Sequence, residues 1–253
     1  MNTGRLLDQV LAIFALVVLW WLVSVLVSSP LLPTPAEVGF ALNKEWQQDR
    51  LMESLGVTLQ RVAISFVFAM LIGGIIGVLM GRYKLLNRVL DPILVILLNI
   101  PALVVIILLY IWFGLIEVAA VAAVIINKLP NVAVTLREGG RMFDHELEEL
   151  AVMYRFTFKQ KLCDVWWPQL FPYIMIATRS GLALIWKIVL VVELLGRSDG
   201  VGFQLHLAFQ VFDVATILAY SIAFISVVQF IEWFILQPLD RRASRWQKGS
   251  SSV

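Results

Sequence analysis

Two cations, Arg179 and Lys187, stand eight residues apart in an otherwise apolar stretch, Leu170–Val192. On a helix that spacing puts them about 12 Å apart along the axis and about 80° apart around it, so both can face one cavity. Two cations on one wall favour an anionic solute, and charges sunk in apolar runs usually face a protein interior or a water-filled path. The alternative is pairing with carboxylates such as Glu193 or Glu232, or with carbonyl groups. Lys128 is a third such cation; Glu117 shares its helix face but lies about 16 Å away, too far for a direct pair. Asn99 adds a polar group beside Pro101 in a further apolar run. Asn99, Lys128, Arg179 and Lys187 are therefore the candidates for lining a solute path. Arg61, near the end of its run, is expected to snorkel to the surface.

Covalent chemistry is poorly provided for. One thiol, Cys163, and two histidines, His145 and His206, cannot assemble a zinc cluster. Neither histidine falls in an apolar run, H-E-x-x-H is absent, and no G-x-x-x-x-G-K-[ST] phosphate loop occurs. No catalytic residue, metal or cofactor is expected, and any ATP hydrolysis must come from a separate subunit.

The elements that position these charges follow from composition. Of 253 residues, 60% are hydrophobic and 15% charged, against about 45–50% and about 25% in a soluble domain. Mean hydropathy is +0.86. Six runs approach the roughly 20 apolar residues that cross a bilayer: Val10–Val27, Ser54–Met80, Ile93–Phe113, Val118–Leu136, Leu170–Val192 and Val214–Leu236. Backbone groups cannot stay unpaired in lipid, so these runs are helices, and the alternation of a membrane barrel is missing. The expected fold class is an all-α membrane protein with six transmembrane helices. The first run is longer than a signal-peptide core and no A-x-A site follows it, so a retained helix is expected.

Lys and Arg set the orientation. With the N-terminus inside, only Lys44, Arg50 and Arg197 fall in outside segments, whereas Arg5, Arg82, Lys84, Arg88, Arg137, Arg141, Arg155, Lys159, Lys161 and the tail from Arg241 to Lys248 fall inside. Both termini are expected in the cytoplasm. Pro30, Pro33 and Pro35 predict a stiff, extended entry to the first outside segment, and Ala36–Trp46 reads as a short interfacial helix. Trp20, Trp21, Trp46 and Trp112 suit an aromatic belt. Gly73, Gly77 and Gly81 have the small-xxx-small spacing of a close helix contact, within one subunit or between two. Pro101 and Pro130 predict kinks.

The longest inside segment, 137–167, predicts an amphipathic helix. Asp144 is its N-cap, and Glu146, Glu148 and Glu149 occupy the turn where the helix dipole favours anions. Leu147, Leu150, Ala151 and Tyr154 make one apolar stripe, with a second short helical stretch up to Pro168. A loop helix with a charged and an apolar face is a docking element for a soluble partner. No internal repeat is found.

Here the chain resembles a known family. Glu146-Leu147-x-Glu149-x-Ala151, followed by Pro168, Pro172 and Tyr173, looks like the EAA-loop signature of ABC importer permeases. More narrowly it is similar to those of the nitrate/sulfonate/taurine type. Leu32-Pro33-Thr34-Pro35, Thr58-Leu59-Gln60-Arg61-Val62, Gly77-Val78-Leu79-Met80-Gly81-Arg82, Leu90-Asp91-Pro92, Trp112-Phe113-Gly114, Thr178-Arg179, Glu193-Leu194-Leu195 and Gly200-Val201-Gly202 follow the family pattern in order. The resemblance implies a type I ABC importer permease fold: a first helix and entry segment (1–53), the transport domain (54–239) with its coupling loop (137–167), and a basic tail (240–253).

It further implies a bacterial inner-membrane channel half that works with a second permease copy, an ABC ATPase and a periplasmic solute-binding protein, with lipid but no nucleic acid as its other surroundings. The residues expected to couple to the ATPase are Glu146, Glu149, Leu150, Ala151 and Arg155. Arg155 stands where the family has glycine, so the chain either turns there at a cost or continues as helix. The implied solute is small and anionic: nitrate, a sulfonate, taurine or bicarbonate. An ion-coupled secondary transporter is the alternative reading.

Overall fold

The computed structural model describes residues 3–238, and every regular element among them is a helix. The expected tail, 240–253, lies outside the described residues. The chain begins with α1 (Thr3–Val27) and α2 (Pro35–Gln47). Trp20 Nε1 and the buried Ser24 hydroxyl both donate to the Pro33 carbonyl, which fixes the proline-rich entry against α1. α2 opens with a reciprocal cap that the composition of the entry segment did not reveal. The Thr34 hydroxyl accepts from the Glu37 N–H, and the Glu37 carboxylate accepts from the Thr34 N–H, with Pro35 in the first turn. Glu45 of α2 is buried and accepts from the Tyr220 hydroxyl at 2.9 Å.

The centre of the fold is the pair α3 (Arg50–Arg82) and α6 (Glu117–Arg141), which run parallel in close contact. Gly73 faces Leu129 and Val132, Gly77 faces Ala133, and Gly81 faces Arg137 and Gly140. A methyl group added at Gly77 would lie 2.4 Å from the Ala133 carbonyl oxygen. The glycine ladder thus serves packing within the subunit. α9 (Trp167–Gly196) runs antiparallel to both: Gly139 meets the Tyr173 ring at one end, Gly181 meets Lys128 midway, and Glu193 meets Arg61 at the other end. Val62, Ile106, Val124, Ile185, Val189 and Tyr220 are core residues between these helices and their neighbours.

The third expected span is not one straight crossing. It consists of α4 (Lys84–Asn99) and α5 (Ala102–Phe113), bent by 96°. Ile100 is extended, with ψ 126°, because a residue before proline is pushed out of the helical region, and Pro101 has no N–H to continue the ladder. Pro130, where a kink was expected, is buried inside α6, which stays helical through it.

Among the described residues four helices are long and apolar enough to cross a membrane, and a fifth crossing is added if α4 and α5 are one broken span. Leu11–Val27 is a shorter apolar helix, so the expected count of six is compatible with this architecture. The loop helix is α7 (His145–Met153). A single turn, α8 (Phe158–Gln160), leads through π-helical turns at Lys161–Trp166 straight into α9. α10 (Val201–Gln210) and α11 (Val214–Ile231), which continues as π turns over Glu232–Leu236, complete the chain.

Candidate functional site

The loop between α6 and α9 folds much as its residues dictate. Asp144 caps α7 by accepting from the Glu146 N–H at 2.8 Å. The Asp144 N–H in turn donates to the Gln169 side chain, which pins the start of α7 to α9. Ala151 is buried, while Glu146, Glu149 and Leu150 are exposed. The inward side of α7 is made by Ala151 and the half-buried Glu148, not by the leucines. Leu147, Leu150, Val152, Met153 and Tyr154 all face outward, so of the expected apolar stripe only Ala151 is covered by the described residues.

Arg155 turns the chain rather than prolonging the helix. Its φ is +52°, a left-handed conformation in which the side chain costs about 1–2 kcal/mol. The turn is stabilised by two bonds: Arg155 N–H donates to Val152 and Phe156 N–H donates to Ala151, the pairing that ends many helices.

A clamp that the sequence reading missed holds α7 to the end of α3. Arg82 donates to both carboxylate oxygens of Glu148, at 2.5 and 3.3 Å. Its guanidinium lies 4.9 Å from the Trp166 ring centroid, and the Trp166 indole N–H donates to the same carboxylate. The helical positions of Glu148 and the arginine ending α3 are the only sequence signal for this contact.

At the opposite end of α3 lies a second polar cluster. Arg61 is 3% exposed, so it does not snorkel. Its side chain projects into the subunit, where carboxylates from two other helices meet it. It donates to both Glu117 oxygens at 2.8 Å, to Glu193 at 2.8 Å, and to the Asp199 side chain and carbonyl. Glu193 is fully buried and also accepts from the Thr58 hydroxyl and the Gly202 N–H, both at 2.9 Å. The Thr58 oxygen accepts from the Val201 N–H. Two N–H groups that begin α10, which no intrahelical partner could satisfy, are therefore paired. Gly200, with φ +93°, passes so close to the Glu193 carboxylate that a methyl group there would lie 2.5 Å from its Cδ. Arg197 adds an ion pair to Glu117 at 3.0 Å.

The four candidate path residues are not brought together. Lys128 is 1% exposed, with its Cε 2.8 Å from where a Gly181 methyl group would stand, and among the described residues it has no hydrogen bond or ion pair. Asn99 is exposed at the α4–α5 bend and donates to the Val95 carbonyl. Arg179 and Lys187 are both exposed on α9. Arg179 lies 3.3 Å from Glu232, one of the two partners the spacing allowed. Glu193, the other, is taken by Arg61. Among the described residues no group of histidine, cysteine and carboxylate side chains could hold a metal ion.

Comparison with known proteins gives a consistent picture. Residues 69–243 match the family described as binding-protein-dependent transport system inner membrane component. The chain is 29% identical over 221 residues to a protein named for aliphatic sulfonates transport, the permease protein SsuC of Bacillus subtilis (strain 168), covering 87% of this chain and 80% of that one. It is 28% identical over 238 residues to the taurine transport system permease protein TauC of Escherichia coli (strain K12), covering 91% and 86%. An inward-facing structure of the MetNI methionine ABC transporter superposes with a TM-score of 0.61 at 18% identity, over 75% of this chain and 92% of that one. That likeness establishes the fold.

Proposed function

The chain belongs to the binding-protein-dependent transport system inner membrane component family, the permeases of ABC importers, and from that premise we propose that it conducts a small anion across the bacterial inner membrane. The solute class is a sulfonate such as taurine, or another small oxyanion such as nitrate or bicarbonate. The names of the relatives and the cations of α9 support it. Two copies of the chain pair to form the path, a periplasmic binding protein delivers the solute, and ATP is hydrolysed on a separate subunit. Both termini lie in the cytoplasm, with the Arg82 end of α3 inside and its Arg61 end outside.

The observation that carries this reading is α7. It presents Leu147, Leu150 and, at its C-cap, Tyr154 outward with Glu146 and Glu149 beside them, and the described residues of its own subunit leave them uncovered. An apolar stripe flanked by carboxylates on a capped helix suits a cleft in an ATPase. Because Arg82 and Trp166 grip Glu148, movement of α7 is passed to α3 and α9.

Two measurements test the reading. Purification of the tagged chain in mild detergent should recover a P-loop ATPase, with native mass giving two copies of each subunit. Proteoliposomes holding that complex and its binding protein should take up radiolabelled taurine or nitrate only with ATP inside the compartment that α7 faces. Uptake by this chain alone under an ion gradient would establish the ion-coupled alternative instead.

A further inference from the structure

The cations of α9 need an environment, and the helix geometry supplies one. α9 buries Ala177, Gly181, Ile185, Trp186, Val189 and Val192 against its neighbours. At about 100° per residue, these fill one half of the helix circumference. Ile176, Arg179, Ser180, Ala183, Leu184, Lys187 and Val191 fall in the other half and are exposed. Lys187 lies near the middle of that open sector and Arg179 at its edge.

Depth is fixed by the packing of α6 on α9. Gly181 meets Lys128, which stands midway between Glu117 in the outer cluster and Gly139 against Tyr173, about 16 Å from each. Arg179 is two residues from that midpoint, with 58% of its side chain exposed. Lys187 is six residues from it, about 9 Å toward the Glu117 end, and half the hydrocarbon thickness is about 15 Å. An exposed arginine at mid-depth, followed outward by an exposed serine and lysine on the same sector, is a poor match for lipid.

Building on the permease reading above, we propose that the open sector of α9 lines a water-filled path and that Lys187 is the residue that selects a small anion within it. Arg179 has its charge met by Glu232 at 3.3 Å, so it positions α9 against the end of α11. Lys187 has no hydrogen bond or ion pair among the described residues. In a two-fold pair the same sector of the second copy closes the path. Two Lys187 ammonium groups then face one channel, and a passing sulfonate or nitrate relieves their repulsion.

The test uses the whole transporter, permease pair and ATPase, in proteoliposomes, with Cys163→Ser as background because Cys163 is exposed. The membrane-impermeant anionic thiol reagent MTSES should modify Lys187→Cys and leave Ile185→Cys, at a fully buried position, untouched. Added taurine should slow the reaction at position 187. Lys187→Glu should lower taurine uptake about tenfold or more, with Lys187→Arg close to the parent. The proposal is overturned if the Lys187→Cys variant stays unreactive in a transporter that turns over, or if Lys187→Glu transports like the parent. The permease reading fails in a different way: the parent complex then takes up neither taurine nor nitrate. Labelling of the Lys187→Cys variant without anion uptake by the parent removes the anion from the proposal while leaving the path.

Discussion

The Arg61 guanidinium lies 2.8 Å from the Glu193 carboxylate, and the two side chains are 4% and 0% exposed. This ion pair joins α3 to α9, and through Glu117, Asp199, Val201 and Gly202 it also reaches α6 and the start of α10. Water is excluded on the Glu193 side, so each charge depends on its partner. Removing one partner of such a buried pair typically costs about 3–5 kcal/mol, because the other is left uncompensated.

Glu193→Gln is therefore expected to lower the thermal unfolding midpoint of the detergent-solubilised protein markedly. Glu117→Gln should do much less, since the Glu117 side chain is 48% exposed and water can replace part of what it gives. Equal, small shifts in the two variants would show that the buried half of the cluster contributes no more than the exposed half.

The clamp between Arg82 and Glu148 predicts a reciprocal effect. Arg82→Glu or Glu148→Arg alone places like charges together at the α3–α7 contact and should reduce ATP-driven uptake. The exchanged pair, with both substitutions, should recover part of it. The readout is the coupling energy of the double-mutant cycle on uptake; a value near zero would show that the clamp contributes nothing to uptake.

Arg155 adopts φ +52° at the position where α7 ends. Arg155→Gly removes the side-chain penalty of a left-handed residue, and is expected to stabilise the turn by about 1 kcal/mol. Slower hydrogen exchange at the Arg155 and Phe156 amides, which donate to Val152 and Ala151, would report it. Faster exchange would show that the arginine holds the turn by contacts outside the subunit.

Gly77 and Gly56 make a matched pair of tests. A methyl group at Gly77 would meet the Ala133 backbone at 2.4 Å, whereas none of the described residues lies within 4 Å of one at Gly56. Gly77→Ala should force α3 and α6 apart at a cost of about 1–3 kcal/mol. Gly56→Ala should be neutral or slightly stabilising. Differential scanning in detergent distinguishes these, and equal midpoints for the two variants would contradict the packing described.

Much of the architecture was legible in the chain. Uninterrupted apolar length located most of the spans, because lipid leaves the backbone no alternative to helix. Asp144 and the carboxylates after it located the start of α7, because a side-chain oxygen there satisfies an orphan N–H locally. The break at Pro101 was legible too, but not its size. A sequence shows that the hydrogen-bond ladder is interrupted, whereas the 96° bend depends on what α4 and α5 each pack against.

The polar contacts that organise the two ends of the molecule were not legible. Arg61 reads as a snorkelling side chain because its partners, Glu117 and Glu193, lie 56 and 132 residues away. Which helix turns a charge inward is decided by how α3, α6 and α9 are rotated against one another. That rotation is set by contacts such as Gly77 on Ala133 and Gly181 on Lys128. Helices, spans and the loop helix α7 were written along the chain, since these follow from the local cost of exposing backbone or apolar surface to the wrong medium. Which charges are neutralised inside the subunit, as Arg61 is by Glu193, and which, like Lys187, face outward was settled by the packing of the helices, because pairing depends on distances across helices that no spacing along one chain records.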